Sequence, residues 1–492
     1  MMTQLRTTAA ALLILLAGPA TAIGQEGWVQ LFDGQTLNGW KAGESPSSFR
    51  VADGSIAADG LRAHLFYVGD GQPVSFRNFE FMAEVMAKPG ANSGIYFHTE
   101  FQKEGFPAKG FEAQVNNSAG SLAGYLELKK TGSLYGIRNQ YKATVGDDQW
   151  FTMYIAVRGK RVEIRVNGVL LVDYVEPSDP VAPSSRQERR LSSGTFALQC
   201  HDPGSKVFFR NLRVRRLPDA IPEPDEHVAV DDVYRQIIEL GSANFPLIDF
   251  HVHLKGGLTL EEALALSRRL GVNYGIAVNC GLGFPIGDDK GIAEFLQTMR
   301  GQPVFAGMQA EGREWVGLFS PEAVARFDYV FTDAMTFTNR NGRRMRLWIP
   351  GEVEVGDKQE FMEMLVERIA GIMDSEPIDI YVNPTFLPAS IAAEYDALWA
   401  PERMQRVIDA AVRNGVAIEI NNRYRLPSPA FIRKAKQAGV KFTIGTNNAD
   451  RDLGRIEYAL QMARECGLTW LNMWMPKPDG QKPIQTRGFK KN

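Results

Sequence analysis

The stretch IDFHVHLKGG, Ile248–Gly257, decides how the second half of the chain is read. An apolar run ends in two histidines one residue apart, so both imidazoles leave the same side of a strand near its C-terminal end. His-x-His in that position offers two nitrogen ligands to a metal ion. From Phe245 onward, short apolar runs alternate with amphipathic segments such as TLEEALALSRRLG, FMEMLVERIAGIM, MQRVIDAAVRNG and LGRIEYALQMARECG. This alternation predicts βα units around a parallel sheet. Seven strands are expected, near Leu247, Tyr274, Val304, Tyr329, Ile378, Val416 and Phe442, and a closed α/β barrel of (βα)7, TIM-like type is the simplest arrangement for them.

Upstream the period changes. NSGIYFHTEF, RVEIRVNGVLLVDYV and GTFALQC are short alternating runs separated by Gly, Asn and Asp, the pattern of an all-β sandwich. Between the two regions, RRLPDAIPEPDEHVAVDD is rich in proline and acid and has no apolar periodicity. A chain of 492 residues exceeds one ordinary core, so the expected fold is multidomain. Its expected parts are a signal peptide over 1–22, a sandwich over 27–217, a linker over 218–232, a barrel over 233–475 and a tail over 476–492.

The signal peptide is read from MMTQLRTTAAALLILLAGPATA, with a basic start at Arg6, an apolar run and small residues at Ala20 and Ala22. It predicts export to the periplasm or beyond. No later apolar run is long enough to span a bilayer. A net charge of −2 and a pI near 6.4 give no electrostatic footprint for nucleic acid or an anionic membrane, which leaves small neutral partners. Cys200, Cys280 and Cys466 are odd in number and widely spaced, and are expected to be buried thiols.

Strand parity sorts the sandwich side chains by face. In GFEAQVN, Glu112, Gln114 and Asn116 oppose Phe111, Ala113 and Val115. In NSGIYFHT, Asn92, Tyr96 and His98 oppose Ile95 and Phe97, and in TFALQCH, Gln199 and His201 oppose Phe196, Leu198 and Cys200. Three strands thus offer a side bearing carboxylate, amide, phenol and imidazole groups. Such a side either faces water or binds a sugar; a plain solvated face is usually richer in Lys and Glu.

WVQLFDGQTLNGWKAG, NSGIYFHT, GFEAQVNN, TGSLYG and GTFALQCHDPGSKVFFRNLRVRRL, in this order, resemble the concanavalin-like 3-keto-disaccharide hydrolase family. The family usually has arginine where His98 stands and an aspartate near Asn116 or Asn117. The resemblance implies a jelly-roll sandwich, an exported location and action on glycosides oxidised at C3. A ketone at C3 acidifies the C2 proton, so a base can remove it and expel the C1 substituent, after which water adds back. Net hydrolysis then needs a base, an acid and donors for the enolate oxygen. Glu112 and His201 are the candidate acid–base groups, with His98, Gln114, Tyr135 and Gln199 as candidate substrate contacts.

Each expected barrel strand ends in a polar group: His251 and His253, Asn279, Glu311, Asp333, Asn383, Glu419 with Asn421, and Asn447. DFHVH, GMQAEGREW, AIEINNR and KFTIGTNNAD resemble the polymerase and histidinol phosphatase (PHP) family, which implies a distorted seven-stranded barrel holding up to three metals. Here Asn383, Asn447 and Ala449 stand where that family carries His and Asp, so a three-metal cluster lacks its ligands. His251, His253 and Glu311 could still hold one divalent zinc, manganese or iron ion; the alternative is a polar pocket of hydrogen-bonded histidines. Three functions are open: an exported carbohydrate-active enzyme cleaving 3-keto-glycosides, a carbohydrate-binding sandwich that delivers substrate to a metal-dependent barrel hydrolase, lyase or isomerase, or a sugar-binding protein without turnover.

Overall fold

The computed structural model describes residues 27–70, 74–118, 121–122, 125–182, 189–222, 224 and 228–489. The expected signal peptide lies outside them.

The N-terminal half is two packed antiparallel sheets, one of eight strands and one of five. The five-stranded sheet runs Trp40–Ala42, Ala63–Tyr67, Thr195–Cys200, Ser93–Thr99, Phe111–Val115 in spatial order. Alternation explains its packing. Phe111, Ala113, Val115, Phe196, Leu198 and Cys200 all point into the core shared with the eight-stranded sheet.

The C-terminal half closes seven parallel strands into a barrel: Ile248–Val252, Asn273–Cys280, Phe305–Ala310, Tyr329–Thr332, Ile380–Tyr381, Ala417–Asn421 and Phe442–Gly445. The connecting helices follow from local chemistry. Leu260–Leu270 starts at Thr259, whose side chain forms a capping box with Glu262, and stops at Gly271 with φ 78°, a conformation that a side chain would disfavour. The first and last strands are tied by Asp249. It is fully buried and accepts from Thr446 Oγ1 (2.5 Å), Thr446 N and His251 N (3.0 Å each). Burial pushes its pKa up to about 6.

The two cores meet through a buried junction. The helix Asp232–Ser242 begins where the linker was expected to end; it places Tyr234 and Ile238 in the sandwich core and Ile237 in the barrel core. The sandwich segment around residues 126–142 packs onto the opposite end of the barrel from its mouth. Asn273, at the start of the second barrel strand, accepts from Tyr141 N (3.0 Å) and donates to the Asn139 carbonyl (2.8 Å). Lys142 Nζ reaches the Val304 carbonyl and Asp328 (2.8 and 2.7 Å), just ahead of the third and fourth strands. The sandwich therefore docks at the N-terminal ends of the strands, a strand length from the mouth.

The expected linker and tail are both held. Asn78 Nδ2 donates to the carbonyls of Pro218 and Asp219 (2.8 and 3.0 Å), and Val228 and Val230 pack on the sandwich core. In the tail, Ile484 is buried, and Lys482 Nζ donates to the carbonyls of Ala325 and Phe327 (2.7 and 2.9 Å). The three cysteines are free and buried. Among the described residues, no helix is long and apolar enough to cross a membrane.

Candidate active site

On the outer face of the five-stranded sheet, strand register builds two rows. One carries Glu112, Tyr96, Ala197 and Phe66; the next carries Gln114, Gly94, Gln199 and His64. Glu112 Oε2 accepts from the Tyr96 hydroxyl (2.8 Å) and from Arg189 (3.3 Å). The Tyr96 hydroxyl in turn accepts from Gln199 Nε2 (3.2 Å), which lies 3.4 Å from His64 Nε2. Gly94 leaves a gap in the second row that the first row fills, because a Cβ there would stand 2.6 Å from Glu112 Oε1. With its amide oriented to satisfy its neighbours, Gln114 donates to the Ser93 carbonyl (3.1 Å) and to Glu112 Oε1 (3.3 Å).

A second carboxylate stands beside this cluster. Tyr135 donates its amide to the Glu112 carbonyl (2.9 Å) and its hydroxyl to Glu127 (2.9 Å). Glu127 also holds Lys129 (3.3 Å), whose ammonium lies 4.4 Å from the Tyr135 ring centre. Arg189 donates to the Tyr135 carbonyl (2.5 Å) and so joins the two carboxylates. Lys129 also reaches Asn244 (3.2 Å), across the domain junction. The two rows are buried, Glu112 at 4% exposure and Gln199 at 1%. Phe106 packs edge-on to His64 on this face.

Glu112, Gln114 and Gln199 come together as their parity predicts, and Tyr135 stands beside them; His201 and His98 do not join them. His201 shares the face but lies four residues beyond Ala197, and Ala197 is two strands from Glu112. At ~3.3 Å per residue and ~4.8 Å per strand, their Cα atoms are ~16 Å apart. The ring packs on Phe106 and pairs with Asp202 (2.7 Å). His98 leaves the face altogether. A bulge shifts the pairing from Ala197 with Tyr96 to Thr195 with Thr99, and His98 takes φ 55°. Its ring turns onto Phe79 and Phe97, donates from Nε2 to the Arg77 carbonyl (2.8 Å) and accepts at Nδ1 from Ser192 N (3.2 Å). Burial pushes its pKa down to about 4. Both nitrogens serve the backbone, so His98 braces the fold and is not placed to touch a sugar. Sequence reading missed His64, although AHLFY carries the same alternation, and missed Arg189, which comes from a loop without a periodic signal.

The barrel mouth is a separate polar site. His251 donates from Nδ1 to Glu419 (2.6 Å) and His253 from Nδ1 to the Ala277 carbonyl (3.0 Å). Each ring is thus oriented through its Nδ1, and neither Nε2 has a hydrogen-bond partner among the described residues. Glu311 Oε1 accepts from Asn279 (2.7 Å) and Gln309 (2.9 Å). Burial, reinforced by the charge of Asp333, pushes the Glu311 pKa up to about 7. Among the described residues, no three His, Cys, Asp or Glu side chains converge as a metal site. Of the expected set of His251, His253 and Glu311, Glu311 accepts on Oε1 from the two amides.

Comparison with known proteins bears on the sandwich. Residues 27–215 match the family model described as a 3-keto-alpha-glucoside-1,2-lyase-like domain. The chain is 33% identical over 82 residues to a 3-keto-disaccharide hydrolase of Bacteroides thetaiotaomicron, which is 15% of this chain and 28% of that protein. This chain therefore spans little more than a quarter of that relative. Among solved structures, a candidate glycosyl hydrolase from Parabacteroides distasonis is 23% identical, with a TM-score of 0.35, covering 39% of this chain and 95% of its own. The carbohydrate-binding module CBM66 from Bacillus subtilis is 14% identical, with a TM-score of 0.25, covering 36% and 96%.

Proposed function

We propose that the sandwich is a jelly-roll enzyme, exported to the periplasm or beyond, that cleaves glycosides oxidised at C3 by elimination followed by hydration. The observation that carries this reading is Glu112, held by Tyr96, Arg189 and Gln114 on the outer face of a domain whose sequence matches a 1,2-lyase-like family. Glu112 removes the proton from C2 of the 3-keto sugar. The electron pair forms the C1–C2 double bond while the C1–O bond to the leaving group breaks. Water then adds its hydroxyl to C1 and a proton to C2, so the sum is hydrolysis.

The imidazole connected to Glu112 through Tyr96 and Gln199 is His64, so we assign proton donation to the leaving oxygen to His64. This role moves away from His201, which is paired with Asp202 and stands outside that chain of hydrogen bonds. Gln114, Gln199 and Tyr135 serve as sugar or oxyanion contacts. Glu127 is held by Tyr135 and Lys129. The barrel's seven parallel strands and its His251-x-His253 pair support a PHP-type origin for that domain. Delivery of substrate from the sandwich to the barrel is disfavoured, because the sandwich docks at the end away from the mouth.

Removal of the C2 proton is testable on the substrate itself. A 3-keto-disaccharide deuterated at C2 is expected to show a primary isotope effect on kcat/KM, measured by competition against the protiated sugar. Equal rates for the two would point to direct displacement at C1.

A further inference from the structure

The barrel mouth encloses ~350 Å³, a size suited to a monosaccharide. Its rim and floor differ in charge. Lys255 follows the first strand, Arg423 follows the sixth, and Arg344 comes from the hairpin of Thr336–Thr338 with Arg344–Arg346 that overhangs the cavity. None of these three cations has a carboxylate within ion-pair distance among the described residues, whereas the adjacent Arg346 is paired with Glu352. Their charge is therefore available to a ligand.

The floor is a girdle of amides. Asn447 donates to Asn383 Oδ1 (3.1 Å), Asn383 donates to Asp333 (2.7 Å), and Asn279 donates to Glu311 (2.7 Å). Asn383 and Asn447 both sit at left-handed φ, 50° and 45°. Such strain is retained where the surroundings or a ligand require a particular side-chain direction. Beside the amides, Trp348 is 45% exposed and lines the cavity together with Tyr424. An exposed indole lining the same cavity as the amides suits the C–H face of a sugar ring, with its hydroxyls meeting the amides.

We propose that the barrel mouth binds a small polyhydroxylated carboxylate, a sugar acid, independently of the sandwich. The cations on the rim take the carboxylate, the amides take the hydroxyls and Trp348 takes the ring face.

Calorimetry on the full chain, with EDTA present, tests this using glucuronate, glucose and glucose 6-phosphate as probes. Glucuronate is expected to bind with a Kd of ~1 mM or tighter, with glucose at least ~10-fold weaker and glucose 6-phosphate weaker than glucuronate. Lys255→Met and Trp348→Ala, at positions without buried partners to strand, are each expected to weaken glucuronate ~10-fold or more. No heat from glucuronate at ~10 mM, equal or tighter binding of glucose or glucose 6-phosphate, or unchanged affinity in both folded variants would overturn the proposal.

Discussion

Glu112→Gln is expected to lower turnover of a 3-keto-glycoside by ~10²–10⁴-fold, the usual contribution of a positioned general base. The substitution keeps the shape and leaves an oxygen to accept from Tyr96, but it removes the proton acceptor. Arg189 keeps its bond to the Tyr135 carbonyl, so the loop it anchors should hold. Circular dichroism and thermal melting should therefore resemble the parent while kcat collapses. Near-normal kcat in a folded Glu112→Gln protein would reject Glu112 as the base.

Asp249→Ala should destabilise the barrel by ~3 kcal/mol or more, because three donors, Thr446 Oγ1, Thr446 N and His251 N, lose their acceptor in a site closed to water. Chemical denaturation followed by tryptophan fluorescence measures the loss. The pH dependence has a definite sign. The Asp249 pKa is about 6 in the folded chain against an ordinary 3.8, so the folded state holds the proton more tightly. Its contribution is fully present below pH ~3.8 and is lost as the pH rises through about 6. Asp249→Asn, which cannot ionise, should gain on the parent by ~3 kcal/mol between pH 4 and 8. A constant difference across that range would show that Asp249 titrates normally.

Periodicity made the barrel legible. Seven strand positions, and helices with their own capping signals such as Thr259 and Gly271, could be read from local pattern alone. Parity likewise placed Glu112, Gln114 and Gln199 on one face, because alternation is a property of each strand by itself. Register is a property of pairs of strands, and no single strand encodes it. Glu112 and His201 therefore looked like partners until pairing put them two rows apart.

The bulge at His98 was hidden for a related reason. The sequence continues to alternate through NSGIYFHT while the backbone inserts an extra residue. The hairpin over the barrel mouth was missed despite an Asn341-Gly342 turn signal, since its strands are three residues each. The engagement of Glu311 by Asn279 and Gln309 is likewise a matter of geometry that spacing cannot show.

The central claim is that cleavage depends on a ketone at C3 and takes place on the sandwich. Its most direct test is to incubate the full chain with a 3-keto-disaccharide and with the same disaccharide unoxidised, following released monosaccharide. The account predicts cleavage of the oxidised sugar alone. Comparable cleavage of the unoxidised sugar, or no cleavage of either, would contradict it.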